Sequence, residues 1–119
     1  MSNNIVIKHT SRVIYARLPD NSKAFIRYVV EGNVMKLLET YTPPQHRGKG
    51  IARKLMDYAV ELAIKNNWFI EPICSYSIYY FIKNPDKRQY LVEKYRNMNE
   101  EELKKYFKQR LEEEKKKQQ

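Results

Sequence analysis

The sequence predicts a mixed α+β domain. An antiparallel meander of three to four strands leads into a β-α-β unit, and helices complete the C-terminal part. Three observations predict this. Between residues 5 and 41 apolar residues recur with a period of two, broken by turn-rich stretches. At Gly50 the period changes to that of a helix, and Trp68-Phe69-Ile70 then starts a further β-prone run. Beyond Asn99 the chain is charged almost throughout, with a thin apolar stripe at helical spacing.

The strands follow in order. Ile5-Val6-Ile7 is a short β-prone run after residues 1–4, a mostly polar stretch that is expected to fray. Val13 to Leu18 alternates and suits a strand with one buried face, and Pro19-Asp20-Asn21-Ser22 is a turn by composition. Ala24 to Glu31 is the next strand, closed by the hairpin signal Gly32-Asn33, and Val34 to Tyr41 returns beside it.

The helix from Gly50 places Ile51, Leu55, Tyr58, Ala59, Leu62 and Ala63 on one stripe. Asn66-Asn67 ends it, because Asn tolerates the left-handed C-cap conformation. The run from Trp68 is expected to continue through Pro72 to about Cys74, parallel to the strand before the helix. Pro72 cannot donate a ladder hydrogen bond, so pairing should weaken there. Ser75 is placed as the N-cap of a helix over Tyr76 to Lys83, Asn84-Pro85-Asp86 breaks it, and Lys87 to Arg96 adds a helical turn or two. Asn99 with Glu102 forms a capping box for a last helix. Its stripe of Leu103, Phe107 and Leu111 either covers the domain or pairs with a second copy, and Glu112 to Gln119 is expected to be solvated or frayed.

Bulk properties bound the function. A chain of 119 residues holds one core and not two. No run approaches the roughly 18 apolar residues of a membrane helix, and the N-terminus lacks a signal-peptide core. The single cysteine, Cys74, excludes an internal disulfide, and no Cys/His cluster has metal-ligand spacing. A cytoplasmic protein without a membrane or metal partner is expected. The net charge is +9. Residues 99–119 carry seven Lys/Arg and six Asp/Glu, hence +1, which leaves +8 on residues 1–98. Such a field favours an anionic ligand.

The stretch Thr42-Pro43-Pro44-Gln45-His46-Arg47-Gly48-Lys49-Gly50-Ile51-Ala52 is where that ligand is expected. A strand, a turn with Gly and Lys/Arg, and a helix together make a phosphate cradle. The first helical N–H groups lack partners, the helix dipole is positive there, and glycine permits both φ > 0 and close approach. Gly50 stands where a Walker A loop needs Ser or Thr, and Arg53 where a dinucleotide fingerprint needs Gly or Ala.

Gln45-His46-Arg47-Gly48-Lys49-Gly50 resembles the Q/R-x-x-G-x-G/A pyrophosphate motif of the GNAT superfamily of N-acetyltransferases. Pro72-Ile73-Cys74-Ser75-Tyr76, with Tyr80 following, resembles the P-x-C-S-Y-x-x-x-Y pattern of the minimal YjdJ-type, GNAT-like domains. The resemblance covers roughly residues 5–95. It divides the chain into a minimal GNAT-like domain over 1–98, with the GNAT fold, and a charged helical extension over 99–119.

The resemblance implies acetyl-CoA as cofactor and an amine of a protein or small molecule as acceptor, in a monomer or weak dimer. It implies that backbone N–H groups between Arg47 and Ala52, including Gly48, Gly50 and Ile51, receive the pyrophosphate. Arg47 and Lys49 add positive charge, and Gln45 braces the loop or touches phosphate. His46 occupies a variable position and is expected to face solvent. The strand before the loop, with Tyr41 and Thr42, is expected to splay from Ile70–Cys74 and to take the pantetheine arm. Cys74, Tyr76 and Tyr80 fall near the acyl end. There Cys74 either lines the site or accepts acetyl, and Tyr76 protonates the departing thiolate. Relatives read His-Thr-Glu-Val where this chain reads Glu39-Thr40-Tyr41-Thr42, so Tyr41 replaces the family Glu and Glu39 becomes the candidate base. Two other readings remain open: a non-catalytic acyl-CoA-binding module of the same fold, and a basic nucleic-acid-binding protein. The second is disfavoured because single-strand-binding motifs are missing.

Overall fold

Alternating side chains in the first forty residues build four antiparallel strands: β1 (Ile7–His9), β2 (Val13–Arg17), β3 (Lys23–Glu31) and β4 (Val34–Tyr41). β5 (Phe69–Pro72) joins β4 in parallel, so strand order follows chain order. The computed structural model describes residues 5–117; residues 1–4, expected to fray, and the last two glutamines lie outside them. The period of two sends Ile14, Ala16, Ala24, Ile26, Met35 and Leu37 to one face, all fully buried. β1 starts two residues later than expected. The turn after it sets the register, because Thr10 Oγ1 accepts the Arg12 and Val13 N–H groups and Ile7 pairs with Ala16.

Helix α1 (Ile51–Asn66) lies over that face and buries Ile51, Leu55, Met56, Ala59, Val60, Leu62 and Ala63. Tyr58 sits at the border of the stripe and bonds His9 Nδ1 at 2.6 Å. Asn67 ends the helix with φ 58°, and the Trp68 N–H reaches back to the Ala63 carbonyl.

Two irregularities shape β4. Arg27 pairs with Glu39 and Tyr28 with Leu37, so Leu38 is an extra residue, a β-bulge. β5 ends at Pro72 rather than near Cys74. Pro72 lacks an N–H, and the next two N–H groups, of Ile73 and Cys74, both turn back to the Leu37 carbonyl. β4 therefore runs on to Tyr41 paired with β3 alone, and the sheet opens beyond Leu37.

Helix α2 (Ser75–Lys83) begins at that opening. Ser75 is its first helical residue and not its N-cap. Its N–H and hydroxyl donate instead to the Glu114 carboxylate, at 2.8 and 2.5 Å. A carboxylate is a stronger acceptor than a hydroxyl and complements the helix dipole. A 3-10 segment (Pro85–Tyr90) and the single turn α3 (Glu93–Arg96) lead to α4 (Glu100–Lys117). The capping box forms as expected: the Glu102 N–H donates to Asn99 Oδ1, and the Asn99 N–H donates to Glu102 Oε1.

α4 packs against α2. Leu103 is fully buried, and the Phe107 ring lies 6.0 Å from that of Tyr79. The helix continues to Lys117, beyond the expected frayed point. Arg110 holds it to the Ile73 carbonyl (2.7 Å) and Glu114 holds it to Ser75.

Candidate active site

The turn between β4 and α1 is a single 3-10 turn (Pro44–His46) followed by two glycines of positive φ, Gly48 at 82° and Gly50 at 78°. A Cβ at either position would stand in open space, so their φ angles, not crowding, call for glycine. Gly50 is the N-cap of α1. No side chain caps that end, and its first turn holds no acidic residue. The terminal N–H groups of a sixteen-residue helix are thus left facing outward, with Arg47 and Arg53 beside them.

Three side chains fix the turn from below. Gln45 Nε2 donates to Asp20 Oδ2 (3.1 Å), and His46 Nε2 lies 3.1 Å from the same oxygen, near enough for an ion pair but misaligned for a hydrogen bond. The Ser22 hydroxyl, then Gln45, hold the Asp20 carboxyl well below the usual carboxylate range. His46 is buried, at 9% exposure, rather than facing solvent, because Asp20 in the β2–β3 turn draws it inward. Lys49 Nζ points back to His46 Nδ1 (3.4 Å), and Arg47 Nε donates to the Thr42 carbonyl.

A cavity of about 620 Å³ opens above the turn. Its walls include Thr42, Arg47, the backbone of Gly48 and Gly50 to Ala52, and Tyr76. Thr42 Oγ1 is buried there without a hydrogen-bond partner among the described residues. A second cavity of about 490 Å³ adjoins it in the gap beyond Leu37, and Thr40, Tyr41, Arg47, Ser75 and Tyr76 line both. Together they make one groove, from the N-terminus of α1 to that of α2.

Cys74, Tyr76, Glu39, Tyr41, Thr42, Arg47, Gly48, Gly50, Ile51 and Ala52 all come together along this groove. Gln45, Lys49 and Tyr80 do not line it. Tyr80 is buried beneath, its hydroxyl donating to Asp57 Oδ1 (2.5 Å). Cys74 is buried, with Sγ 3.3 Å from Thr40 Oγ1. Tyr76 is half-buried, and burial pushes its phenol pKa up, so it is a protonated donor at neutral pH. Glu39 and Tyr41 point to the same face of β4, as their spacing requires. Glu39 pairs with Arg27 (3.0 Å), and the Tyr41 ring lies 5.5 Å from that of Phe25.

Groove residues that carry no local signal in the sequence include Arg27, Thr40, Ser75, Arg110, Glu114 and Lys117. Thr40 faces Cys74 because the Leu38 bulge shifts the strand. Arg110 and Glu114 lie far along the chain, and their charged helix gave no local sign of reaching the groove.

This fold has known counterparts. The family profile described as GCN5-related N-acetyl-transferase matches residues 14–91, a span that includes the turn, Glu39, Cys74 and Tyr76. The solution NMR structure of a GCN5-like protein from Staphylococcus aureus is similar, with a TM-score of 0.57 and 25% sequence identity. That similarity covers 76% of this chain and 91% of the other. No curated protein matches the chain. α4 lies outside the residues that the family profile matches.

Proposed function

The chain belongs to the GCN5-related N-acetyltransferase family, and from that premise we propose that its groove binds acetyl-CoA and serves transfer of acetyl to an amine of a protein or small molecule. One observation carries the reading. The uncapped, positive N-terminus of α1 and the opening of the sheet beyond Pro72 are the two ends of one continuous groove. An elongated ligand with an anionic pyrophosphate at one end and an uncharged acyl arm at the other fits that polarity. The orphaned Thr42 hydroxyl and the exposed N–H groups supply hydrogen bonds that protein atoms leave unmade.

In this reading Gly48, Gly50, Ile51 and Ala52 hold pyrophosphate oxygens through backbone N–H groups, with Arg47 as a bidentate donor. Backbone polar groups of Leu38 to Tyr41, which β5 does not pair, line the arm. Bound acetyl-CoA supplies a thioester whose C–S bond breaks as the acceptor nitrogen forms the amide. The protein's residues manage the protons. Glu39 takes the proton lost by the amine and Tyr76 gives one to the sulfur that leaves; exchange with solvent then deprotonates Glu39 and reprotonates Tyr76, which closes the balance. Arg27 must release Glu39 first. Both side chains are about half exposed, at 55% and 50%, and such a pair is worth about 0–1 kcal/mol, a small barrier. Cys74 lines the acyl end. Its burial and its contact with Thr40 favour this role over that of a nucleophile.

Isothermal titration with acetyl-CoA tests the reading. Saturable binding is expected, and Gly48→Glu should abolish it by adding a side chain and a negative charge to the cradle. Absence of binding at about 1 mM cofactor, a free energy near −4 kcal/mol, would sink it.

A further inference from the structure

The second cavity has a charge pattern that bears on the acceptor. Six charged side chains stand on its walls: Arg27, Glu39 and Arg47 from the sheet side, and Arg110, Glu114 and Lys117 from α4. Four are positive and two negative, a balance of +2. Both negative charges are already engaged. Glu39 is bound to Arg27, while Glu114 holds the Ser75 N–H and hydroxyl with Arg110 at 3.9 Å.

The positive charges are less satisfied. Arg110 is committed to the Ile73 carbonyl and Glu113. Arg47 makes one side-chain bond, through Nε to Thr42, which leaves its terminal nitrogens free among the described residues. Lys117 forms no ion pair among the described residues. A ligand entering this cavity therefore meets unpaired positive charge, on a domain already +8 over residues 1–98.

Taking the acetyltransferase reading as its basis, we infer that α4 forms the outer wall of the acceptor pocket. We further infer that the pocket takes an amine carried beside carboxylate groups, as in an acidic peptide N-terminus or an acidic amino acid. The amine meets Glu39 at the floor of the pocket, and its carboxylates meet Lys117 at the rim and the Arg27 that Glu39 releases, Arg47 being held by the pyrophosphate. A Lys/Arg-rich acceptor is repelled by the same rim. Because α4 lies outside the family-matched span, this selectivity belongs to the last helix of this chain.

The test uses the full-length protein and acceptors matched in their reacting amine. Ala-Glu-Glu and Ala-Arg-Arg amides share an N-terminal alanine and offer no other amine, and glutamic acid α-amide and alaninamide, each with its amine beside a carboxamide, form the small-molecule pair. Release of CoA thiol gives kcat/KM for each, and acetyl-CoA titration of every sample confirms a loaded, folded protein. The acidic peptide, or the acidic amino-acid amide, should be favoured over its counterpart by about tenfold, mainly through KM. Whichever pair shows the preference identifies the source. The preference should shrink severalfold at about 0.5 M NaCl and fall again in Lys117→Glu. Equal or faster transfer to Ala-Arg-Arg and alaninamide would overturn the inference, as would acetyl-CoA binding with no transfer to any acidic acceptor. A preference that Lys117→Glu leaves untouched would overturn the assignment to α4. Failure to bind acetyl-CoA at all would overturn the underlying reading instead.

Discussion

Glu114, near the end of the last helix, accepts both the backbone N–H and the hydroxyl of Ser75, the first residue of the helix that begins at the groove. The bond joins positions 39 residues apart and fixes the N-terminus of α2 where Cys74 and Tyr76 project. Glu114→Ala leaves that N–H without its acceptor, a loss of the order of a helix cap, about 1 kcal/mol. A thermal melt should fall by about 3–5 °C. Glu114→Gln, which keeps an accepting oxygen, should recover most of it.

Gly48 and Gly50 separate strain from binding. An alanine at either position meets no atom within 4 Å but inherits a positive φ. Gly50→Ala should therefore cost about 1–2 kcal/mol of stability, read by denaturant unfolding, with acetyl-CoA affinity reduced by less than about tenfold. Gly48→Glu inherits the same positive φ and should likewise cost about 1–2 kcal/mol, but in addition it should abolish acetyl-CoA affinity.

Cys74→Ala distinguishes the two roles of the thiol. As a lining residue, it should leave transfer within about tenfold of the parent and cost about 1 kcal/mol of stability through the lost buried contact. A fall of a thousandfold or more would restore the nucleophile reading.

Alkaline pH bears on Tyr80. Burial first, and the bond to the Asp57 carboxylate next, raise its phenol pKa above the usual value of about 10. A group whose folded pKa is raised contributes stability fully below its unfolded pKa and loses it as pH rises through the folded value. Stability should therefore decline above about pH 10. Tyr106, raised by burial and by its contact with Tyr95, acts in the same direction. In Tyr80→Phe the decline between pH 10 and 12, followed by urea unfolding, should be shallower than in the parent.

Much of the fold was legible because it rests on local signals. β4 runs from Val34 to Tyr41 as its alternation requires, Asn67 takes the left-handed cap, and Asn99 and Glu102 close their capping box. What was not legible depends on distant partners. His46 reads as a solvated turn residue until Asp20, 26 positions earlier, is placed beneath it. The Leu38 bulge adds one residue to a strand without disturbing its composition, yet it sets which side chains face the gap. Ser75 has the chemistry of an N-cap, and a carboxylate on α4 took its place. The glycine turn could be read from six adjacent residues, whereas the second cavity could not, because half its charged wall comes from the last helix.

The central claim is that the turn before α1 holds an anionic cofactor whose far end lies in the gap beyond Pro72. Amide chemical shifts of the ¹⁵N-labelled protein, followed through an acetyl-CoA titration, test it most directly. Saturable shifts of the Gly48, Gly50, Ile51 and Ala52 amides are expected, together with those of Thr40, Ser75 and Tyr76, all with one dissociation constant. Binding that leaves the turn amides unmoved, or a spectrum unchanged at about 1 mM acetyl-CoA, would contradict it.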